Sequence, residues 1–123
     1  ANTGATAIVG NNTIGLDELV DAQKKVETDA TVTTTKNVDW SSYSGFIFTM
    51  TGDTTFTDVG LPASPNETQI TILMTGDYVA TLPSYYKIGG DTYDGTGWNL
   101  LAIECKDNTT SAEQVVCIIT NLT

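Results

Sequence analysis

Apolar and polar residues alternate along most of the chain after residue 28. From Phe46 to Met50 every second side chain is large and apolar, and residues 67–75 repeat this period with Ile70 and Ile72 on one face. A period of two places one face of a β-strand against a core and the other towards solvent. The same period recurs at residues 30–35, 55–59, 78–82, 100–105 and 114–120. The pattern therefore predicts seven or eight short strands.

Turn-forming residues separate these segments. The tripeptide Thr-Gly-Asp occurs at 51–53 and at 75–77, and residues 60–66 contain two prolines, which cannot donate to a strand ladder. Residues 84–97 are rich in Gly and Tyr and predict a long loop with little regular structure. Short strands at this spacing favour a mostly β fold, namely a small antiparallel sandwich or jelly-roll-like domain over residues 28–123.

The first 27 residues follow a different pattern. Residues 1–14 show no sustained period and predict an N-terminal attachment arm. Residues 15–27 have apolar side chains at helical spacing, acids at the start and lysines near the end, which predicts one short α-helix. This helix either packs on the sheet or begins an oligomeric coiled coil, although under two heptads is too little to be stable alone. Its apolar positions are Leu16, Leu19, Val20 and Val26.

Charge and composition narrow the range of functions. The 123 residues include 15 acids, five Lys or Arg and no His, for a formal net charge of -10. Without imidazole there is no Ser-His or Cys-His nucleophile pair and no His metal ligand. Five scattered cations cannot neutralise the phosphates of a nucleic acid or of an anionic lipid surface, and no apolar run approaches the length of a membrane span. We expect a binding or structural protein that is not an enzyme, needs no cofactor, and binds neither nucleic acid nor membrane.

The two cysteines lie symmetrically in the last predicted hairpin. Pairing its strands around Ser111 places Cys105 opposite Cys117, on the face shared with Ile103 and Ile119. A disulfide there would stabilise the fold by about 3 kcal/mol in the chain-entropy model. The alternative is two reduced, buried thiols acting as small hydrophobes, and it is favoured because cross-strand bridges are strained.

Acidic residues are densest at residues 91–97. Asp91 and Asp94 could supply oxygen ligands to calcium, but the alternating acids and distal Glu of an EF-hand are missing. Asp and Gly are also ordinary turn formers, so we expect no metal. Glycoside hydrolysis would require two carboxylates across a cleft, and Glu104, the only candidate for an inward-facing acid, alternates outward.

Aromatic residues concentrate at predicted loops and loop edges. Rings beside Asp and Asn are typical of sugar sites, which combine stacking with polar contacts. The sequence therefore offers a binding hypothesis in which the ligand is a glycan. The predicted contacts are Tyr85, Tyr86, Tyr93 and Trp98.

Several segments occur in a recognisable order between residues 38 and 122. Val38-Asp39-Trp40 precedes the alternating strand and turn of residues 46–56, FIFTMTGDTTF. QITILMTGD at 69–77, TLPS at 81–84 and KIGG at 87–90 follow, and the closing hairpin spans residues 99–122. In this order the segments resemble the small β domains of tailed-phage virion proteins, which occur in tail fibres, head fibres and capsid decoration proteins.

The resemblance implies a virion location, commonly a homotrimer, and an N-terminal segment that attaches to capsid or tail proteins. It implies no catalysis. The alternative is a host-surface recognition module that binds glycans through the four aromatic residues named above. Under the first reading, particle docking and oligomer contacts fall at Ile8, Val9, Leu16, Leu19, Val20 and Val26.

Overall fold

Seven strands form one mixed sheet. The computed structural model describes residues 25–62, 68–107 and 114–122. The strands are β1 (Val26–Asp39), β2 (Gly45–Val59), β3 (Thr68–Thr75), β4 (Ala80–Thr81), β5 (Tyr86–Gly90), β6 (Trp98–Asp107) and β7 (Gln114–Leu122). Their order is β1-β2-β3-β6-β7-β5, with β4 beside β2. The mostly β prediction is confirmed.

The predicted antiparallel pairing is wrong for most of the sheet. β1 with β2, β2 with β3, β2 with β4 and β5 with β7 are all parallel pairs, whereas β3 with β6 and β6 with β7 are antiparallel. Alternation of side chains is the same in both kinds of pairing, so the period of two could not distinguish them. One mixed sheet stands where two antiparallel sheets were expected.

Strand β1 bends back on itself, which explains how it can run parallel to β2. A straight strand of this length would span about 43 Å, but residues 40–44, which connect it to β2, can cover only about 20 Å. The Nζ atom of Lys36 lies 2.7 Å from Glu27 and 3.0 Å from Asp29 of the same strand. Residues 27 and 36 of a straight strand would be about 30 Å apart. The bend falls at the register shifts around Val32 and at Thr34, whose φ is 63°.

Strand β2 repeats this path, and the chain therefore forms successive coils. The rings of Phe48 and Phe56, both in β2, stack with their centroids 6.1 Å apart. Gly45 begins the second coil beside Val26, 19 positions earlier in the chain, and Thr71 begins the third beside Gly45. Strands β3 and β4 pair with the two halves of β2 and are joined by a turn that follows its bend.

The two Thr-Gly-Asp tripeptides lie at the bends of neighbouring coils. The first, at 51–53, is inside β2, and the second, at 75–77, follows β3. The backbone N–H of Val79 donates to the Asp53 carboxylate at 2.9 Å, and the N–H of Thr54 donates to the carbonyl of Val79. What the sequence presented as recurring turn chemistry thus joins one coil to the next.

The coils divide the sheet into two walls around one core. The broad wall consists of residues 26–32 and 45–50 with β3, β6, β7 and β5, and the narrow wall consists of residues 34–39 and 54–59 with β4. Alternate side chains of both walls form a single buried cluster. Its largest fully buried members include Phe46, Phe48, Met50, Ile72, Met74, Leu101 and Ile103.

The edge of the sheet at β1 carries charges. Glu27, Asp29 and Lys36 occupy inward positions on this strand, where β2 carries Phe46, Phe48 and Phe56. The ammonium of Lys36 lies 5.1 Å from the centroid of the Phe48 ring. Inward-pointing charges on an edge strand oppose its pairing with further strands.

The structure corrects three local predictions. Val26 and Glu27, assigned to the end of the helix, belong to β1, and residues 51–54 continue β2 through its bend. The predicted loop at 84–97 contains β5. The arm at 1–14 and the remainder of the predicted helix, with Ile8, Val9, Leu16, Leu19 and Val20, lie outside the described residues. The described ranges contain no helix, and hence no helix long and apolar enough to span a membrane.

Candidate functional site

A cluster of polar side chains surrounds Asp58, near the end of β2. Its Oδ1 accepts hydrogen bonds from Nε1 of Trp40 at 2.8 Å and from the hydroxyl of Tyr86 at 2.7 Å. Its Oδ2 accepts from the hydroxyl of Tyr85 at 2.5 Å. Trp40 follows β1 and Tyr86 begins β5, so one carboxylate joins three separate parts of the chain.

The geometry of the Asp58 cluster is that of a structural cross-link. Burial, followed by the neighbouring Asp58 charge, raises the pKa of Tyr86 far above its ordinary value, because the phenolate would be desolvated next to an anion. The phenol therefore stays a hydrogen-bond donor at every physiological pH. With all three donors directed at the carboxylate, the cluster cross-links the two walls.

A second polar cluster is organised by Asn99, which is fully buried. Its Nδ2 donates to the carbonyl of Asp94 at 2.8 Å, and its Oδ1 accepts from the N–H of Asp94 and from Nδ2 of Asn121. The hydroxyl of Tyr93 donates to the carbonyl of Gly76 at 2.8 Å. Burial and the nearby Asp77 raise the pKa of Tyr93 to about 12. These contacts fix the loop between β5 and β6.

The calcium candidates serve the same loop. The Asp91 carboxylate accepts from the N–H of Asn121, and the Asp94 carboxylate accepts from both the hydroxyl and the N–H of Thr96, which lower the pKa of Asp94. No group of three or more metal-ligating side chains occurs in the part of the chain that the structure describes. Asp91 thus ties the loop after β5 to β7, and Asp94 holds the turn at Thr96.

The two cysteines are buried thiols and are not directly opposite. Cys105 pairs with Val115 and Cys117 pairs with Ile103, so the thiols lie two positions apart along the ladder, with the pair Glu104–Val116 between them. The predicted register was wrong by two residues, and the bulge after Cys105 accounts for one of them. Burial raises the pKa of the Cys117 thiol to about 11, which keeps it protonated and unreactive.

A cavity of about 420 Å³ opens between the walls at the β5 edge. Met74, Leu101 and Ile119 line it from the broad wall, and Asp91 and Tyr93 from the loop after β5. This volume would suit a small molecule. Oδ2 of Asp91 accepts from the N–H of Asn121, and the hydroxyl of Tyr93 donates to the carbonyl of Gly76, so both side chains already help to hold the loop in place.

The outer surface of the broad wall carries three rows of uncharged residues, which we call the uncharged face. Paired positions across the strands define each row. The first row is Val26, Gly45, Thr71, Ala102, Ile118 and Gly89; the second is Thr28, Ile47, Leu73, Leu100 and Thr120; the third is Thr49, Thr75, Trp98 and Leu122. Charged side chains begin only in the adjoining row, with Glu104 and Lys87.

The four predicted glycan contacts do not form one site. The rings of Tyr85 and Tyr86 meet edge to face with centroids 5.5 Å apart, but both hydroxyls bind Asp58 and Tyr86 is buried. Tyr93 lines the cavity, and Trp98 lies on the uncharged face, where it is 40% exposed. No single ligand-binding surface therefore emerges from these rings.

Sequence reasoning missed the Asp58 cluster and the uncharged face. Asp58 stood in a short strand without a motif, and only the fold brings Trp40 and the two tyrosines to it. The sequence contained one signal of the uncharged face, because Ile47, Leu73 and Leu100 are apolar residues at positions where the alternation predicts a side chain facing solvent.

Comparisons with known proteins give no assignment. The chain matches no family model, no curated protein and no solved structure.

Proposed function

We propose that this chain is a non-enzymatic structural component of a phage virion, either a capsid decoration protein or part of a head or tail fibre. Its N-terminal segment attaches to capsid or tail proteins, and its coiled β domain is displayed as a homotrimer. The sequence resemblance over residues 38–122 supplies the virion context. The structure contributes a separate line of support.

That support is the use of the aspartates. Asp39, Asp53, Asp58, Asp91 and Asp94 each accept hydrogen bonds that hold a turn, a bend or a loop. A carboxylate that is fixed in this way stabilises the domain and is poorly placed to transfer protons to a substrate. Acidic residues used to fix loops favour a durable display module over an active site.

The proposal is tested on purified particles of the phage that encodes the chain. Mass spectrometry and immunogold labelling should find it in a fixed copy number. A variant in which residues 1–14 are replaced by a scrambled sequence of equal length should fold, as judged by circular dichroism, but be absent from particles. Absence of the natural chain from particles would refute the proposed function, and normal incorporation of the scrambled variant would refute the attachment role of the arm.

Recognition of host-surface glycans is the alternative, and it has less structural support. Three of its four proposed contacts use their hydroxyls inside the protein. A glycan array probed with the natural chain and with Trp98→Ala tests it. Binding that depends on Trp98 would favour this function, and an array without any binding would count against it.

A further inference from the structure

We propose that the uncharged face is the surface on which copies of this chain pack against one another. The inference goes beyond the proposed function. A face that meets its own copy makes a twofold, pairwise contact, which is separate from the threefold contacts of the proposed homotrimer. The expected oligomer residues lay in the N-terminal segment, and of these only Val26 is described. Val26 lies at one end of the first row of the face.

The composition of the face differs from that of an ordinary outer sheet surface. Of the eight exposed large hydrophobic side chains in the described ranges, four lie here, namely Val26, Trp98, Ile118 and Leu122, at 39–54% exposure. Ile47, Leu73 and Leu100 form a half-exposed apolar strip between them. Contiguous apolar surface of this kind marks interaction sites on soluble proteins.

Charge favours a further copy of the chain as the occupant. Each copy has a formal net charge of -10, so two copies repel wherever their carboxylates approach within about a Debye length of 8 Å. The uncharged face is a surface on which two copies can meet without burying a carboxylate. A basic partner would be attracted to the acidic remainder of the protein and would find no counter-charge here.

The size of the face suits a weak, concentration-dependent contact of this kind. Six strands about 4.8 Å apart and five residues of about 3.3 Å each give about 470 Å² per copy, or roughly 950 Å² in total. This lies near the lower limit of about 1,000 Å² for specific interfaces. Depressions of about 160 and 200 Å³ lie beside Gly45 and Ala102 of the first row, where they can receive apolar side chains of the second copy.

The test compares the same substitution on the two walls. Thr71→Glu places a carboxylate in the middle of the first row of the uncharged face, and Thr55→Glu places one at an exposed position of the narrow wall. Both add one negative charge to a β-strand. The molar mass of the full chain is measured by light scattering over a hundredfold range of concentration, and thermal unfolding confirms that each variant is folded.

We expect the natural chain and Thr55→Glu to form the same oligomer, and Thr71→Glu to fall to the 13.1 kDa of one chain or to require at least a tenfold higher concentration to assemble. Ala102→Glu repeats the test one strand away if Thr71→Glu does not fold. A natural chain that stays monomeric would overturn the inference. A monomer is the result expected if the N-terminal segment or another protein covers the face. An oligomer that survives both face substitutions would overturn it too.

Particle incorporation separates this inference from the proposed function. A chain that assembles through the face but is never found in particles would leave the inference standing and refute the virion role. If the chain is found in particles but its oligomer is unchanged by the face substitutions, the virion role stands and the inference is refuted.

Discussion

Asp58 is the residue on which most separate parts of the domain converge. Its carboxylate accepts from an indole and two phenols that come from the end of β1 and the start of β5, at opposite edges of the sheet. Hydrogen bonds to an ionised acceptor are stronger than those between neutral groups. The cluster therefore joins the two ends of the coiled sheet near the open side of the core.

We expect Asp58→Asn to lower the free energy of unfolding by about 2 kcal/mol, because the amide offers one acceptor oxygen to three partly buried donors and turns an N–H₂ group towards them. Urea denaturation measures the loss. Asp94→Asn is the matched control, since its partners are an exposed turn, and it should cost clearly less. Equal losses in the two variants would show that Asp58 has no special role.

The Cys117 thiol predicts a dependence of stability on alkaline pH. Its folded pKa of about 11 lies above the ordinary value of 9.0, because burial disfavours the thiolate. The unfolded chain therefore ionises first, so this stabilising contribution is complete below pH 9 and is lost as the pH rises to 11. Free energies of unfolding measured across this range should fall with pH, and less steeply in Cys117→Val. Parallel curves for the two proteins would contradict the assignment.

Single residues were the least predictable level of the fold. Thiol burial followed from the apolar neighbours of Cys105 and Cys117, but their register did not, because a bulge leaves no distinctive residue type behind. The partners of Asp58 lie 18 to 28 positions away. Such contacts depend on the topology, which alternation alone does not encode.

At the scale of elements, the bend in β1 is the feature that determines the architecture. Lys36 reaches back across it to Glu27 and Asp29. Burial alone would lower the pKa of Lys36, but its hydrogen bonds to these carboxylates raise it. The pKa of Asp29 is lowered, first by the N–H of Thr31 and then by Lys36. These contacts hold together two halves of a strand that would otherwise be extended.

Lys36→Met should destabilise the domain by about 1 kcal/mol at neutral pH, a modest value because the ion pairs are partly exposed. Asp29 contributes stability above its ordinary pKa of 3.8 and loses it as the pH falls through its lowered folded value. The difference between the natural chain and the variant should therefore shrink in acid. Lys106→Met, whose pair with Glu104 is 3.6 Å long and exposed, should be nearly neutral. A larger effect of Lys106→Met in urea titrations would argue against the role of the bend.

Gly76 tests the bend of the third coil. Its φ is 121°, and an added Cβ would lie 2.5 Å from the carbonyl oxygen of Met50 in the coil beside it. Gly76→Ala should therefore cost about 2 kcal/mol through backbone strain and displacement of that coil. At Gly97 the nearest atom to an added Cβ is 3.5 Å away, so Gly97→Ala is the control and should stay within about 0.5 kcal/mol of the natural chain. Thermal unfolding of both variants tests this prediction, and similar melting temperatures for Gly76→Ala and Gly97→Ala would refute it.

The sequence indicated the elements better than their arrangement. Six of the seven strands overlap segments with a period of two, and β5 was missed because Tyr86-Lys87-Ile88 is followed by two glycines, which suggest a loop. If β1 and β2 were straight, the short connection between them would allow only an antiparallel hairpin. Only a bend at Thr34, a residue that seldom adopts positive φ, makes the parallel pairing feasible.

At the scale of the whole molecule, acidity and self-association have to be reconciled. The chain carries 15 acids against five cations, yet three neighbouring rows on the outer surface of its broad wall carry no charged side chain. This division gives a domain that repels its neighbours in most orientations and can meet its own copies in one. Composition gives the net charge of the whole chain. How the charged residues are distributed between the faces of the sheet can be seen only once the strand register is known.

The ionic-strength dependence of assembly tests the central claim most directly. Sedimentation equilibrium of the full chain measures the association constant at salt concentrations from about 20 to about 500 mM, over which the Debye length falls from about 20 to about 4 Å. We predict an oligomer that tightens as salt rises, because salt screens repulsion between acidic copies while the uncharged contact loses nothing. A chain that remains at 13.1 kDa throughout, or an oligomer that dissociates as salt rises, would contradict the account.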